Sequence, residues 1–546
     1  MKNRILEIFE ELMVMKSVTY SEKENEIAEY FGQFFRKLPY FQINPEYTGV
    51  YQITGDPFGR TIPYGFLKGK SNETVILSGH FDVVSTEEYG SARNFAHSPG
   101  EGLEKKLALM DLNERARKDL ESGEWIWGRG SCDMKGGLAI HASLFEEYAN
   151  MALEGNLEGS IIFMLVPDEE SYSAGMRSGA HLLKELKDKY GLRYKLMIDP
   201  EPTALAGQNQ VMSIGSVGKC MPAVLVQGKK GHAGHFFEGL SAISVLSSIF
   251  SKINGSLEFC DVYEKEMTMP PTWFKMRDMK EVYDVSIPHR AFGYFTVFSL
   301  ITTPEDIIDK VKKISKEAFL EESAKIDAAY NKFKEVTRTI DGGVSYEPMV
   351  ITFSQLRRKL QDERGDEFEN FYSEAKQKIV SKINQGTLNY PDATIKLMEK
   401  VLDFSAISRP VVLIGFAPPY YMPVHGDKVK HKENYGTKAF EFVSKISEEY
   451  FNQTVIKENY FMGISDLSYS AVTSPFDYES YVHNTALWGS SYSIDFDCIE
   501  DIAVPSVIYG PVGLEYHQFT ERVNKKSMLE VVPYVTKKLV EYMWRL

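Results

Sequence analysis

Thr74-Val75-Ile76-Leu77-Ser78-Gly79-His80-Phe81-Asp82 is a short apolar run that delivers a histidine and an aspartate at its carboxyl end. Such a run, bounded by glycine, reads as a buried strand. The pattern recurs further along: 160–166 and 195–198 also read as strands, and 136–148 and 179–187 carry apolar residues at helical spacing. Strands alternating with helices give an α/β fold with a largely parallel sheet. In such sheets ligands bind outside the carboxyl ends of the strands.

Toward the amino terminus, Ser21 and Glu24 form a capping-box pattern ahead of Ile27, Tyr30, Phe31, Phe34 and Phe35, which share one helical face. From about Ser216 the texture changes. Residues 221–227 and 293–300 read as strands, 239–253 as a helix, 303–337 as a long charged helix, 357–382 as one polar helix and 410–416 as a buried strand. This middle block is expected to be its own α+β unit. The strand 504–509 and an amphipathic helix from Lys526 then close the chain. The expected division is 1–212 and 431–546 for one α/β domain, interrupted by 213–430.

A chain of 546 residues exceeds what one hydrophobic core organises, so two domains are expected. A formal net charge of −14 argues against nucleic acid as a partner, because phosphate binding depends on clustered Lys and Arg. Cys132, Cys220, Cys260 and Cys498 are scattered without a CxxC pair, which fits a reducing compartment. Glu7, Glu10 and Glu11 interrupt the first apolar segment, so it reads as an amphipathic helix and not as an export signal. The longest apolar runs fall far short of the roughly 20 residues that cross a bilayer. A soluble, cytoplasmic protein without a membrane partner is expected.

The chemistry lies where the strands end. His80 and Asp82 alone also describe a structural histidine with a hydrogen-bonded neighbour. Gly128-Arg129-Gly130-Ser131-Cys132-Asp133-Met134-Lys135-Gly136-Gly137 then brings Asp133 to the start of a helix on a glycine-rich turn, without the residue order of a phosphate loop. The strand 160–166 runs into Pro167-Asp168-Glu169-Glu170, whose adjacent acids need a counter-charge if buried. The strand 195–198 is followed by Asp199-Pro200-Glu201, and 504–509 by a glycine-rich loop ending at His517. Two histidines and several carboxylates gathered at strand ends are the nitrogen and oxygen set that zinc and related divalent metals accept.

In this order of motifs the sequence resembles the M20 metallopeptidase family: HxD, GRGxxDMKGG, DEE, EP, a histidine in the inserted domain and a distal histidine. Within it, the length and the GRGSCDMKGG form look most like the RocB-type arginine-utilisation branch. The resemblance implies a catalytic domain whose mixed, largely parallel sheet has helices on both faces, interrupted by an α+β lid or dimerisation domain. It implies two divalent metals, zinc with cobalt or manganese as alternatives, held by His80 and Glu201 on one side and Glu170 and His517 on the other. Asp133 would bridge them, and Asp82 would orient His80. Glu169 takes the place of the general base on a metal-bridging water, with Asp199 the alternative ligand to Glu201. The implied reaction is hydrolysis of an amide or peptide bond in an N-acyl amino acid, a dipeptide or an arginine-related amide.

His232, with His235 as its competitor, matches the lid histidine that stabilises the oxyanion in dimeric relatives, so a homodimer through the middle domain is implied. Asp466, in Gly463-Ile464-Ser465-Asp466, resembles a glycine-rich segment beside the substrate. The family's carboxylate-binding arginine has no counterpart here, with Arg290 and Arg409 as substitutes. A competing reading keeps the metals and drops the catalysis, leaving a metal-stabilised binding or regulatory protein.

Overall fold

The computed structural model describes residues 1–207, 209–337, 346–473, 478–489 and 491–546. The chain forms two compact units: Met1–Val217 with Met422–Ser474 and Ile494–Leu546, and Gly218–Tyr421 with Pro475–Ser493.

The first unit is built on β1 (Thr48–Gln52), β2 (Thr61–Leu67), β3 (Glu73–His80), β4 (Ser160–Val166), β5 (Arg193–Asp199), β6 (Asn209–Ser213), β7 (Val455–Glu458) and β8 (Ser506–Ile508). They lie in the order β1-β2-β4-β3-β5-β8-β6-β7, with Leu205–Ala206 also paired to β6. The centre, β4-β3-β5-β8, is parallel, while β1, β2 and the β8–β6 contact are antiparallel. Every residue of β4 is buried, because both faces of the sheet are covered.

Alternate strand residues show how. Val75, Leu77, Ile161, Phe163, Leu165, Leu196 and Ile198 share one apolar core with α1 (Lys2–Val14), α2 (Glu24–Lys37), α3 (Gly136–Leu153) and the helix Val532–Met543. Phe31 and Phe35 of α2 stand edge-on to Phe163 at 5.9 and 5.8 Å. Met164 points the other way, toward α4 (Ala174–Tyr190), where a Cβ on Gly179 would lie 3.2 Å from its thioether.

The second unit has a six-stranded sheet in which Pro222–Gln227 lies between Arg290–Ser299 and Val411–Phe416, antiparallel to both. Val350–Thr352 adds in parallel at one edge. Its helices include Ala242–Ile253 and Pro304–Thr337.

One expectation changes here. The single polar helix over 357–382 is two helices, Phe353–Arg364 and Asp366–Asn384, because Gly365 between them takes a φ of 50°, which continues neither. The two units part after Val217 and Tyr421, and Pro475–Ser493 groups with the second. Tyr481 of that segment stacks on Tyr420 at 4.3 Å and on Phe416 at 5.2 Å, and Tyr372 donates to the Ala486 carbonyl at 2.6 Å. Val424–His425, by contrast, pairs with Gly215–Ser216 of the first unit.

Candidate metal centre

The parallel strands β4, β3, β5 and β8 are neighbours, so their carboxyl ends meet at one edge of the sheet. Register aligns His80 with Val166, Leu77 with Ile198, and Ile508 with Asp199. His80 ends β3, Glu169 and Glu170 follow β4, Glu201 follows β5 and His517 lies beyond β8. Asp133 arrives on the turn before α3. Gly130 makes that turn possible, since its φ is 81° and a Cβ there would lie 2.8 Å from the Val83 side chain. A Cβ on Gly137 would lie 2.3 Å from the Pro200 carbonyl oxygen, so the start of α3 seats directly against the loop that carries Glu201.

Asp133 lies between the two histidines. Its Oδ1 is 3.1 Å from Nε2 of His80, and its Oδ2 is 3.2 Å from Nε2 of His517. Glu201 Oε1 adds to the first pair at 3.3 Å from His80 Nε2, and Glu170 to the second at 3.0 Å from His517 Nε2. The triads His80, Asp133, Glu201 and Asp133, Glu170, His517 each offer three donor atoms within 4.8 Å of one another. His80, Glu169 and Glu170 form an overlapping third group. Nδ1 of His80 lies 3.0 Å from the main-chain oxygen of Asp82. A proton held there leaves the Nε2 lone pair facing the carboxylates, as a metal ligand requires.

The surroundings hold these side chains in place. The carboxylate of Asp82, 3.5 Å from His80 Nδ1, accepts the main-chain N–H groups of Glu169 and Glu170, each at 3.1 Å. Asp168, in the left-handed region with a φ of 72°, is bound at 2.6 Å by the buried Arg60, which also pairs with Glu24 and Asp56. Glu521 accepts the amides of Cys132 and Asp133 at 3.2 and 3.3 Å and is itself paired with the buried Arg129. Sequence reasoning missed Arg60 and Glu521. Glu24 was read only as a capping acid, and although it does accept the Ser21 amide at 3.2 Å, it also reaches Arg60.

The electrostatics are those of an over-charged anionic site. Burial pushes the carboxyls of Glu169 and Glu201 well above the usual range, and their acidic neighbours add to it. Burial and the Asp133 charge also raise Glu170. Burial opposes charge on the imidazoles too, yet the carboxylates outweigh it: His80 rises well above its ordinary value and His517 is pushed up to about 11. Asp133 is lowered despite its burial, because hydrogen bonds from His517 and His80 overcome it, and Asp82 is lowered likewise by His80. Without cations, protons supply the missing positive charge. Divalent metals fit this donor set and would displace those protons.

Asp199 and Asp466 adjoin the cluster without belonging to either triad, and the remaining candidates fall elsewhere. Oδ2 of Asp199 accepts the Ser465 hydroxyl at 2.8 Å, and burial raises Asp199 to about 6. Asp466 is buried and raised to about 8, with His80, Asp199 and Asp82 acting on its charge. His232 and His235 are exposed in the second unit, where His232 Nδ1 accepts the Gly234 amide at 3.0 Å and His235 meets Glu238 at 3.2 Å. Arg290 is committed to Gln227, Glu399 and Asp403. The exposed Arg409 contacts the Met349 thioether at 3.1 Å.

The chain is similar to known proteins over most of its length. The family model described as Peptidase family M20/M25/M40 matches residues 76–541. Among curated proteins, the uncharacterized protein YqjN of Bacillus subtilis (strain 168) is 29% identical over 540 residues, covering 97% of this chain and 95% of that protein. Protein RocB of the same organism is 26% identical over 529 residues, covering 96% and 92%. Among solved structures, the M20 family metallo-carboxypeptidase Sso-CP2 from Sulfolobus solfataricus shares the fold with a TM-score of 0.54 at 11% identity, covering 99% of each chain.

Proposed function

The chain belongs to peptidase family M20/M25/M40 and is a metal-dependent hydrolase, and from that premise we propose that it cleaves the amide or peptide bond of a small substrate. The substrate classes are an N-acyl amino acid, a dipeptide or an arginine-related amide. The observation that carries the reading is Asp133 set between two imidazoles, with each of its oxygens facing one of them. We assign His80 and Glu201 to one divalent ion, Glu170 and His517 to the other, and Asp133 to both, with zinc as the metal that suits mixed imidazole and carboxylate donors. When bound, such a pair supplies Lewis acidity toward the attacking water and the scissile carbonyl.

The protein groups do the rest. Glu169 is buried, with Oε2 3.9 Å from His80 Nε2 and its amide fixed by Asp82. It takes the proton from the attacking water and returns it to the leaving amine. A carboxyl raised well above its usual range by burial and its acidic neighbours suits both halves of that exchange. Asp82 keeps the loop of Glu169 and Glu170 and the ring of His80 in register. The second unit is assigned the part of lid and dimerisation domain, with His232 donating to the oxyanion, and the cytoplasm is assigned as the compartment. A sedimentation mass of 62.1 kDa at working concentration would contradict the dimer.

Cleavage of N-acyl amino acids, dipeptides and arginine amides by the metal-loaded protein, lost in Glu169→Gln with metal content retained, is the expected result. A metal-loaded protein that binds such an amide tightly and leaves it intact would instead favour a non-catalytic binding protein.

A further inference from the structure

Away from the carboxyl edge of the sheet, α4 and α5 (Phe496–Ile502) bring together a second group of ligand-type side chains. His181 lies on α4, about 10 Å along the helix from its start at Ala174. Asp495 is the N-cap of α5, and Cys498 sits in its first turn. One donor atom from each of the three lies within 4.8 Å of the others, and His181 Nε2 is 3.8 Å from Asp495 Oδ2.

The details favour coordination over a simple ion pair. Asp495 Oδ1 accepts the Cys498 amide at 3.0 Å, which fixes the carboxylate and leaves Oδ2 on the side of His181. Cys498 carries a free thiol and is buried, while His181 is partly open to solvent and gives an ion a way in. With all separations inside 4.8 Å, a point exists about 2.8 Å or less from all three atoms. Zinc bonds run about 2.0–2.2 Å to nitrogen and oxygen and about 2.3 Å to sulfur, so a shift of at most about 0.5–0.8 Å per ligand closes the site. One carboxylate and one thiolate balance a divalent charge, and a water completes four-coordination.

We propose that His181, Asp495 and Cys498 form a mononuclear site for a borderline-soft divalent cation of the zinc class, clamping α5 onto α4. None of its ligands belongs to the cluster around Asp133. On binding, the metal takes the thiolate of Cys498 and the thiol proton leaves to solvent; no oxidant or reductant is needed.

Sulfur makes the test specific, since the cluster around Asp133 offers only nitrogen and oxygen donors. Full-length protein is stripped of metal and titrated with cobalt(II), with metal counted per chain and the near-ultraviolet thiolate-to-cobalt absorption followed. The expected result is a thiolate band that saturates with one ion per chain. Cys498→Ser should lose both the band and that ion. His181→Gln and Asp495→Asn, the latter keeping a capping oxygen, should bind the ion more weakly, and all three should retain hydrolysis. A wild-type protein with no thiolate band at saturating cobalt would overturn the proposal. So would a band unchanged in Cys498→Ser, which would assign it to another cysteine. Because the band does not depend on His80 or His517, its outcome is separate from that of the hydrolase reading.

Discussion

Glu24 and Asp168 are buried as completely as Glu169, Glu201 and Asp133, yet the two groups of acids are finished differently. In the first, Arg60 supplies a cation from within the chain. Both oxygens of Glu24, Asp56 and Asp168 accept hydrogen bonds from Arg60 or from the amides of Ser21, Asp168, Phe58, Arg60 and Ala174. In the second, two imidazoles face a larger set of carboxylates, and Asp199 Oδ1 lacks a hydrogen-bond partner among the described residues. Burying an ionised carboxylate is costly unless it is paired, so an acid cluster closed by its own arginine is architecture, while one left short of positive charge is a place for cations.

The largest effect that could break this comparison is chemical. Glu169→Gln should lower kcat by about 10²–10⁴-fold, the range of a positioned general base, while metal content stays unchanged. Retained turnover would remove Glu169 from the proton transfers and leave it a filler of the cluster.

Next comes the architectural group. Arg60→Leu leaves three buried carboxylates without their cation and should cost about 3–5 kcal/mol in denaturant unfolding. Arg60→Lys should recover part of that, because an ammonium cannot reproduce the forked contact of the guanidinium with Asp56. A neutral Arg60→Leu would erase the distinction between the two clusters.

A third test concerns the protons. Burial opposes charge on His517, yet Asp133 and Glu170 push it up to about 11, so the metal-free site holds a proton there at pH 7 that metal must displace, and His80, Glu169 and Glu201 are raised in the same direction. Calorimetry in buffers of different ionisation enthalpy should show net proton release on metal binding. No release would mean that the site is already ionised and needs no counter-charge.

The smallest expected effect sharpens the comparison from the opposite sign of charge. His141 is a fully buried base beside Phe163, and burial lowers its pKa to about 3. Below about pH 6.5 the unfolded chain takes a proton on this residue that the folded chain refuses. Stability therefore falls as pH drops, by about 2 kcal/mol from this group between pH 7 and 5. His141→Leu should flatten that part of the acid profile, and an unchanged profile would assign the acid sensitivity elsewhere.

What could be read in advance follows from how locally each feature is written. His80, Glu170, Glu201 and His517 each close or follow a strand whose apolar run is visible by itself, so parallel neighbours bring them together once the alternation of strands and helices is recognised. Arg60 left no such mark. Its partners Glu24 and Asp168 lie 36 and 108 residues away, and a lone arginine in a loop carries no periodicity. Glu521 was hidden in the same way, since its hydrogen bonds reach back to Cys132 and Asp133 almost 400 residues earlier. Pro475–Ser493 groups with the second unit, where Tyr481 stacks on Tyr420, a contact without a sequence period. Gly365 was legible in principle as a helix breaker, but the charged residues on both sides continue the helical pattern across it.

The central claim is that Asp133 joins two divalent metal sites, and metal analysis of the double variant His80→Ala/His517→Ala beside the wild-type protein tests it most directly. The prediction is a loss of two ions per chain with the fold retained by circular dichroism. A double variant with the same metal content as the wild type would contradict it and place any bound metal elsewhere.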